Sequence, residues 1–342
     1  MENNKILLVS NSIHIGITLI AEAYKKAFEV LGIDFEYYYD SSSSIEILNH
    51  NLYYKISTGN YKIIIFIQPS YLTTITATYL MLIKKQQGIR FFSINTDDPY
   101  STETILSIQH LFDKKFTNEK IVAESFSKLG FIYLPLAFDH LYLYKKNEER
   151  NIDLCYICTF YKNRMDYLKQ INEIQCKKYI AGSIMPLFEM QDQGSLSYDI
   201  SMFNQEPKLI PHHKELESYS MSKFVINPIR LVNETGIKVN VIMSGIKCRQ
   251  IVNSAVSPNP RFFNALGCGA IPLCNIERTT IMDYMNIYFS NCQFPILLPK
   301  DNIKRNLEKY IETYDSIDKD TLNDFISNEN YIKRSEFILN FL

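Results

Sequence analysis

The segment YKIIIFIQ, residues 61–68, constrains the fold of this chain more than any other. Its apolar residues run without alternation, so both faces of a strand built from it must be covered. That is the signature of a central strand in a parallel sheet with helices on each side. The flanking sequence agrees. KILLVS (5–10) precedes a helical pattern from Ile17 to Leu31, and IDFEYYYD (33–40) is followed by a polar SSSS break. A helix is expected from about Tyr71 to Gln87, then GIRFFSINTDD (88–98), LFDKKFT (111–117) and FIYLP (131–135). Short apolar runs alternating with longer helical patterns predict βαβ units and a doubly wound α/β domain.

At 342 residues the chain exceeds what one hydrophobic core comfortably serves, so two domains are expected. The charged, aperiodic YKKNEER (144–150) reads as the linker. The pattern then restarts with IDLCYICT (152–159), a helix from about Asn163 to Ile174, KKYIAGS (177–183), SKFVINP (222–228), AIPLCN (270–275) and FPILLP (294–299). The expected division is 1–147, 151–320 and a helical tail 321–342 that packs back on the first domain. Two such domains place a ligand at the carboxyl ends of their strands.

Composition narrows the function classes. Lys+Arg of 36 against Asp+Glu of 37 leaves a net charge of -1. No basic stripe interrupts that balance, so no nucleic-acid partner is expected. No apolar run is long enough to span a membrane. Ile6 to Val9 is too short for a signal core, and the 7 cysteines follow no framework spacing. The expectation is a reduced, cytoplasmic protein. Cys155 and Cys158 form a CxxC within a strand and point to opposite faces, which argues against redox or zinc chemistry. His212 and His213 are adjacent, poor spacing for a shared metal, and read as a surface turn. No metal and no cofactor are expected.

The segment SPNPRFFNALGCGAIPLCN, residues 257–275, carries the most chemistry. Pro260 suits the first helical position, Asn259 can cap, and Gly267 or Gly269 can end the helix in the left-handed conformation. A short helix over roughly 260–267 would offer free backbone N–H groups and a positive dipole end to an anion, with Arg261 beside them. That geometry suits a diphosphate; an ordinary capped helix satisfies the same pattern.

This segment resembles the donor-binding stretch of the CgeB-like glycosyltransferases, which have an SPNPR-type start and a small-residue helix ending in C-G-A. INTDDPYS (94–101), DLCYICTFYKNRMDYL (153–168) and SKFVINPIR (222–230) resemble further pieces of that family, in order. The resemblance implies a GT-B fold: two facing doubly wound Rossmann-like domains with a cleft between them. It implies a nucleotide-sugar donor held mainly by the second domain, and sugar transfer to a hydroxyl of a protein, glycan or small molecule. Ser257, Asn259, Arg261, Asn264 and Arg230 fall at the donor positions. The family usually has Glu where this chain has Asn264; an amide can accept from a ribose hydroxyl but carries no charge. The alternative is a catalytically silent nucleotide- or glycan-binding module. The stretch from Leu231 to Arg249 is longer than expected, and its Lys238, Lys247 and Arg249 read as a solvated loop or as aids to the phosphates. In the first domain, His14, Asp97 and Asp98 lie just beyond strands. Inverting transfer needs a base for the acceptor hydroxyl, and a His oriented by an Asp suits that task. The same residues also read as a loop histidine and as caps of a helix near Ser101, and a retaining enzyme needs no such base.

Overall fold

In the computed structural model, the structure describes residues 5–11, 15–42, 44–139, 149–160, 162–183, 204, 208–228, 255–274, 283, 286–287, 302–316 and 322–342. The chain divides into two compact units. One comprises Met1–Leu136, Val239–Ser257 and Asn330–Leu342; the other comprises Ala137–Lys238 and Pro258–Glu329.

The first unit is built on β1 (Ile6–Asn11), β2 (Phe35–Asp40), β3 (Ile63–Ile67), β4 (Arg90–Asn95), β5 (Lys114–Thr117) and β6 (Phe131–Tyr133). They form one 6-stranded sheet in the order β2-β1-β3-β4-β5-β6, with every pairing parallel. All five residues of β3 are buried, which is why that stretch is apolar on both faces. The connecting helices are α1 (Ile15–Val30), α2 (Ile45–Thr58), α3 (Thr74–Gln87), α4 (Thr102–Ile108) and α5 (Lys120–Ser125). One face of the sheet packs Leu7, Val9, Ile64, Phe66 and Phe91 against Leu52, Ile56 and Leu80 of α2 and α3.

The polar serine run opens α2 rather than ending a segment: the Ser44 hydroxyl accepts from Ile47 N–H as the helix cap. Gln68 follows β3 with a positive φ of 50° and opens a 3-10 turn, Pro69–Tyr71.

The second unit is built on β7 (Ile152–Ile157), β8 (Lys178–Ala181), β9 (Ser222–Asn227) and β10 (Ile271–Cys274). Its 4-stranded parallel sheet has the order β10-β9-β7-β8. Its helices are α6 (Lys162–Asn172), α7 (His212–Ser220), α8 (Pro260–Gly267), α9 (Ile303–Glu312) and α10 (Leu322–Asn328). His212 and His213 thus open a helix and do not form a turn. The expected strand at 294–299 lies outside the described residues.

The final helix, α11 (Tyr331–Leu339), belongs to the first unit. Tyr331 meets Tyr24 of α1 edge to face at 5.0 Å, and Phe337 and Phe341 close on Phe116. Arg334, 9% exposed, donates to the carbonyls of Pro135 and Leu136 at 2.9 and 3.3 Å. Among the described residues, no helix is long and apolar enough to cross a membrane.

Candidate functional site

Both sheets carry polar side chains at the carboxyl ends of their strands, where parallel α/β folds place their ligands. In the second unit the strand order reverses between β7 and β9, and Arg164 bridges that point. Its Nη1 donates to Thr159 O just past β7 at 2.9 Å, and its Nε to Pro228 O just past β9 at 3.3 Å.

Helix α8 begins beside this point. Asn259 is its cap, the Oδ1 accepting from Phe262 N–H at 3.1 Å, and Pro260 occupies the first helical position. At the other end Gly269, at φ 78°, turns the chain into β10. Gly267 is required by close packing, since a Cβ there would lie 2.2 Å from the Phe138 ring.

Asn227, the last residue of β9, organises the N-terminus of α8. Its Oδ1 accepts from Asn259 Nδ2 at 2.9 Å and from Arg261 Nη1 at 3.0 Å. Its Nδ2 reaches Cys274 Sγ, at the end of β10, at 3.4 Å. One amide therefore ties two strands and one helix together. The Nε of Arg261 is buried and has no hydrogen-bond partner among the described residues. Asn264, one turn along the same helix face and 7% exposed, makes no side-chain hydrogen bond among the described residues. Behind Arg261 lies Glu215 of α7. Burial disfavours its charge, but His212, the Arg261 guanidinium and the Tyr219 hydroxyl together hold its carboxyl below the usual range. The Tyr219 hydroxyl donates to Glu215 Oε1 at 2.7 Å.

Ser257 is placed differently. Its hydroxyl donates to Glu119 Oε1 at 3.1 Å and accepts from Lys120 N–H at 2.9 Å, and its own N–H donates to Glu119 Oε2 at 3.2 Å. Val256 N–H donates to the same Oε2 at 3.1 Å. Glu119 is fully buried, and burial pushes its carboxyl up to about 7 against the pull of these donors. The side chain of Ser257 is therefore committed within the first unit.

Asp97 and Asp98 sit on the loop after β4. The loop is held by Gln68, whose Oε1 accepts from Thr96 N–H at 2.6 Å and Asp97 N–H at 3.0 Å, while its Nε2 donates to Ser101 Oγ at 2.9 Å. The Asp98 carboxylate is buried and accepts from Thr117 Oγ1 (2.6 Å), Thr102 Oγ1 (2.9 Å) and Ser101 Oγ (3.2 Å). Burial pushes its carboxyl up to about 6, opposed by these three hydroxyls. Asn118 completes the clamp, accepting from Asp98 N–H at 3.0 Å. Asp97 is only partly buried. Beneath this loop, Ser93 and Asn95 are buried without side-chain hydrogen bonds.

His14, Arg230 and the 231–249 stretch lie outside the described residues. Gln68, Asn118, Glu119, Asn227 and Glu215 were not singled out by sequence reasoning; the first four take their roles from partners distant in sequence. Cys155 and Cys158 are both buried, and burial pushes both thiols up, away from reactive thiolates. Among the described residues, no three His, Cys, Asp or Glu side chains come together as a metal site.

Compared with solved structures, the chain matches glycosyltransferases of the GT-B fold over its whole length. HepE from Anabaena, solved in complex with UDP and glucose, gives a TM-score of 0.60 at 12% identity and covers 98% of each chain. An alpha-glucosyltransferase solved in complex with UDP gives 0.62 at 11%, over 99% of this chain and 100% of that one. An alpha-glucosyltransferase with UDP and a 13-mer DNA containing an HMU base gives 0.64 at 12%, over 99% of each. At such identity the likeness shows the fold, GT-B with two parallel Rossmann-like sheets. No family model matches the sequence, and no curated protein does.

Proposed function

We propose that this chain is a nucleotide-sugar-dependent glycosyltransferase whose donor diphosphate sits at the N-terminus of α8. The observation that carries the reading is the pair of unspent polar groups on that helix. Arg261 Nε is buried without a partner and Asn264 has an idle amide, in a chain with the full-length GT-B fold. Leaving a buried group such as Arg261 Nε unpaired costs about 1–3 kcal/mol, so a ligand that satisfies it recovers free energy. A diphosphate fits the first and a ribose hydroxyl the second. All three solved structures named above hold UDP, which favours a uridine nucleotide here.

The chemistry follows from charge. As the bond from the sugar's anomeric carbon to the diphosphate breaks, negative charge grows on the leaving oxygen. The helix dipole and the guanidinium of Arg261 stabilise that charge without a metal. Asn227 fixes the guanidinium by holding Nη1. In an inverting reaction Asp97, with His14, takes the acceptor's proton; Asp98, locked under three hydroxyls, positions that loop. A net charge of -1 gives no overall attraction to a DNA duplex, and the proposed acceptor is a protein, glycan or small-molecule hydroxyl.

Ligand-observed NMR against UDP, GDP, dTDP, CMP and their common sugar conjugates tests the reading. One nucleotide should bind saturably and its sugar conjugate should be slowly hydrolysed. Binding with no turnover in any acceptor mixture would instead favour the silent binding module, for which Asn264 in the place of the family's Glu already speaks. Failure of every nucleotide to bind would reduce α8 to a well-capped helix and end the proposal.

A further inference from the structure

Over Thr74–Ile83, helix α3 contains no charged residue. A helix apolar on all sides belongs in an interior, yet only one side of α3 faces the core of its unit. Leu80 and Ile83 pack inward, whereas Ile75, Tyr79 and Leu82 form a stripe on the opposite side, 70%, 54% and 52% exposed. The neighbouring helix α2 continues the surface with Ile47, Tyr53 and Tyr54. The two stripes meet through the rings of Tyr53 and Tyr79, centroids 5.9 Å apart. A monomeric protein rarely leaves so contiguous an apolar surface open.

We infer that this α2–α3 face is the interface of a homodimer of the chain. Three properties point to a second copy as the occupant. The exposed area of these six side chains, weighted by their exposures, is about 750 Å2, close to the ~800 Å2 per partner of a standard interface. The centre of the face is uncharged, so two copies meet without like-charge repulsion, and three of the six side chains are tyrosines, a residue enriched at interface centres. The rim is self-complementary. Both helices return between parallel strands in the same direction, with exposed Glu46 at the starting end and exposed Lys85 at the finishing end. A two-fold axis lying in the face and perpendicular to these helices sets those of the two copies antiparallel, bringing Glu46 of each opposite Lys85 of the other. The inference rests on the surface of the first unit and stands independently of glycosyl transfer.

The experiment is light scattering and sedimentation of the full chain over a concentration series, with Ile75→Asp and Leu82→Lys as variants. Both positions are exposed, and an acid early in a helix and a base late in it suit the dipole, so the monomer fold should be retained. Wild type should have twice the chain mass of 40.0 kDa, and each variant should weaken association at least ~100-fold, because every substitution enters the interface twice. Circular dichroism should be unchanged. A wild type monomeric at every concentration, or a dimer indifferent to both variants, would overturn the inference. So would a monomer that sediments with phosphatidylcholine–phosphatidylglycerol vesicles and loses that property in the variants, which would assign the face to lipid.

Discussion

The charged groups at the carboxyl ends of the two sheets are treated in opposite ways. In the first unit, Asp98 accepts from three hydroxyls and Glu119 from the backbone N–H groups of Ile121, Val256 and Ser257 and from the Ser257 hydroxyl. Both carboxylates are saturated, and what they hold is loop. In the second unit, Arg261 gives Nη1 to Asn227 and keeps a buried Nε without a partner, while Asn264 holds nothing. A saturated buried group is architecture, since its removal orphans protein partners; an unsaturated one is where a ligand recovers the loss. Substitution of either carboxylate should therefore move stability and leave nucleotide affinity alone, whereas substitution of Arg261 or Asn264 should move nucleotide affinity.

The largest effect is expected at Asp98. Replacing it with Ala orphans three buried hydroxyls and should cost about 3–5 kcal/mol in denaturant unfolding. Asp98→Asn keeps an acceptor and should cost less than half of that. Nucleotide affinity of the folded fraction should not change; a loss of affinity proportional to the loss of stability would erase the contrast between the two regions.

Glu119 should show itself through pH. Burial raises its carboxyl from an ordinary 4.5 to about 7, so ionising it costs more in the folded chain than in the unfolded one. Its contribution to stability is complete below pH 4.5 and is lost as the pH rises through about 7. The shift corresponds to a loss of up to about 3 kcal/mol. Asp98 acts in the same direction between 3.8 and about 6. Glu119→Gln, which keeps an acceptor for Val256 and Ser257, should flatten the fall in denaturation midpoint between pH 5 and pH 8. An unchanged slope would show that Glu119 is not the group titrating.

How much of this was legible in the sequence depended on the range of the interaction. Strand β3 announced itself because burial on both faces leaves an unbroken apolar run, and β4, β7 and β9 through the shorter apolar runs of a buried sheet. The bounds of α8 were legible from Asn259-Pro260 and the glycines that follow, since capping is settled within a few residues. Helix α2 was missed because Ser44, its cap, stands in a serine run that reads as a break. The start of α7 was missed because two histidines after Pro211 look like a turn. The clamps were illegible for a different reason. Gln68 works on Thr96, 28 residues away, and Glu119 on Ser257, 138 residues away, and no local pattern encodes a partner at that distance. Sequence position put Ser257 with the donor residues because it abuts α8; the fold spends its hydroxyl on Glu119.

The α8 variants probe the other side of the comparison. Arg261→Ala removes the guanidinium proposed to meet the diphosphate and should weaken nucleoside diphosphate binding about 100-fold, as expected for a charge-assisted contact. The denaturation midpoint should fall as well, because the buried Glu215 loses the guanidinium that favours its charge, while Asn227 retains Asn259 as a donor. The smallest and most discriminating effect belongs to Asn264. Its truncation to Ala should weaken a nucleoside diphosphate about 5- to 10-fold, equivalent to one neutral hydrogen bond, and should leave inorganic pyrophosphate binding unchanged. Asn264→Glu should tighten the nucleoside over pyrophosphate, since a carboxylate accepts from two ribose hydroxyls where an amide oxygen serves them less strongly. Isothermal titration of the three proteins with both ligands separates the two roles on one helix. If Asn264→Ala lowers nucleoside and pyrophosphate affinity equally, the idle amide is part of the phosphate site and the ribose lies elsewhere. If it lowers neither, Asn264 is idle because nothing binds there, and the contrast between the two regions rests on Arg261 alone.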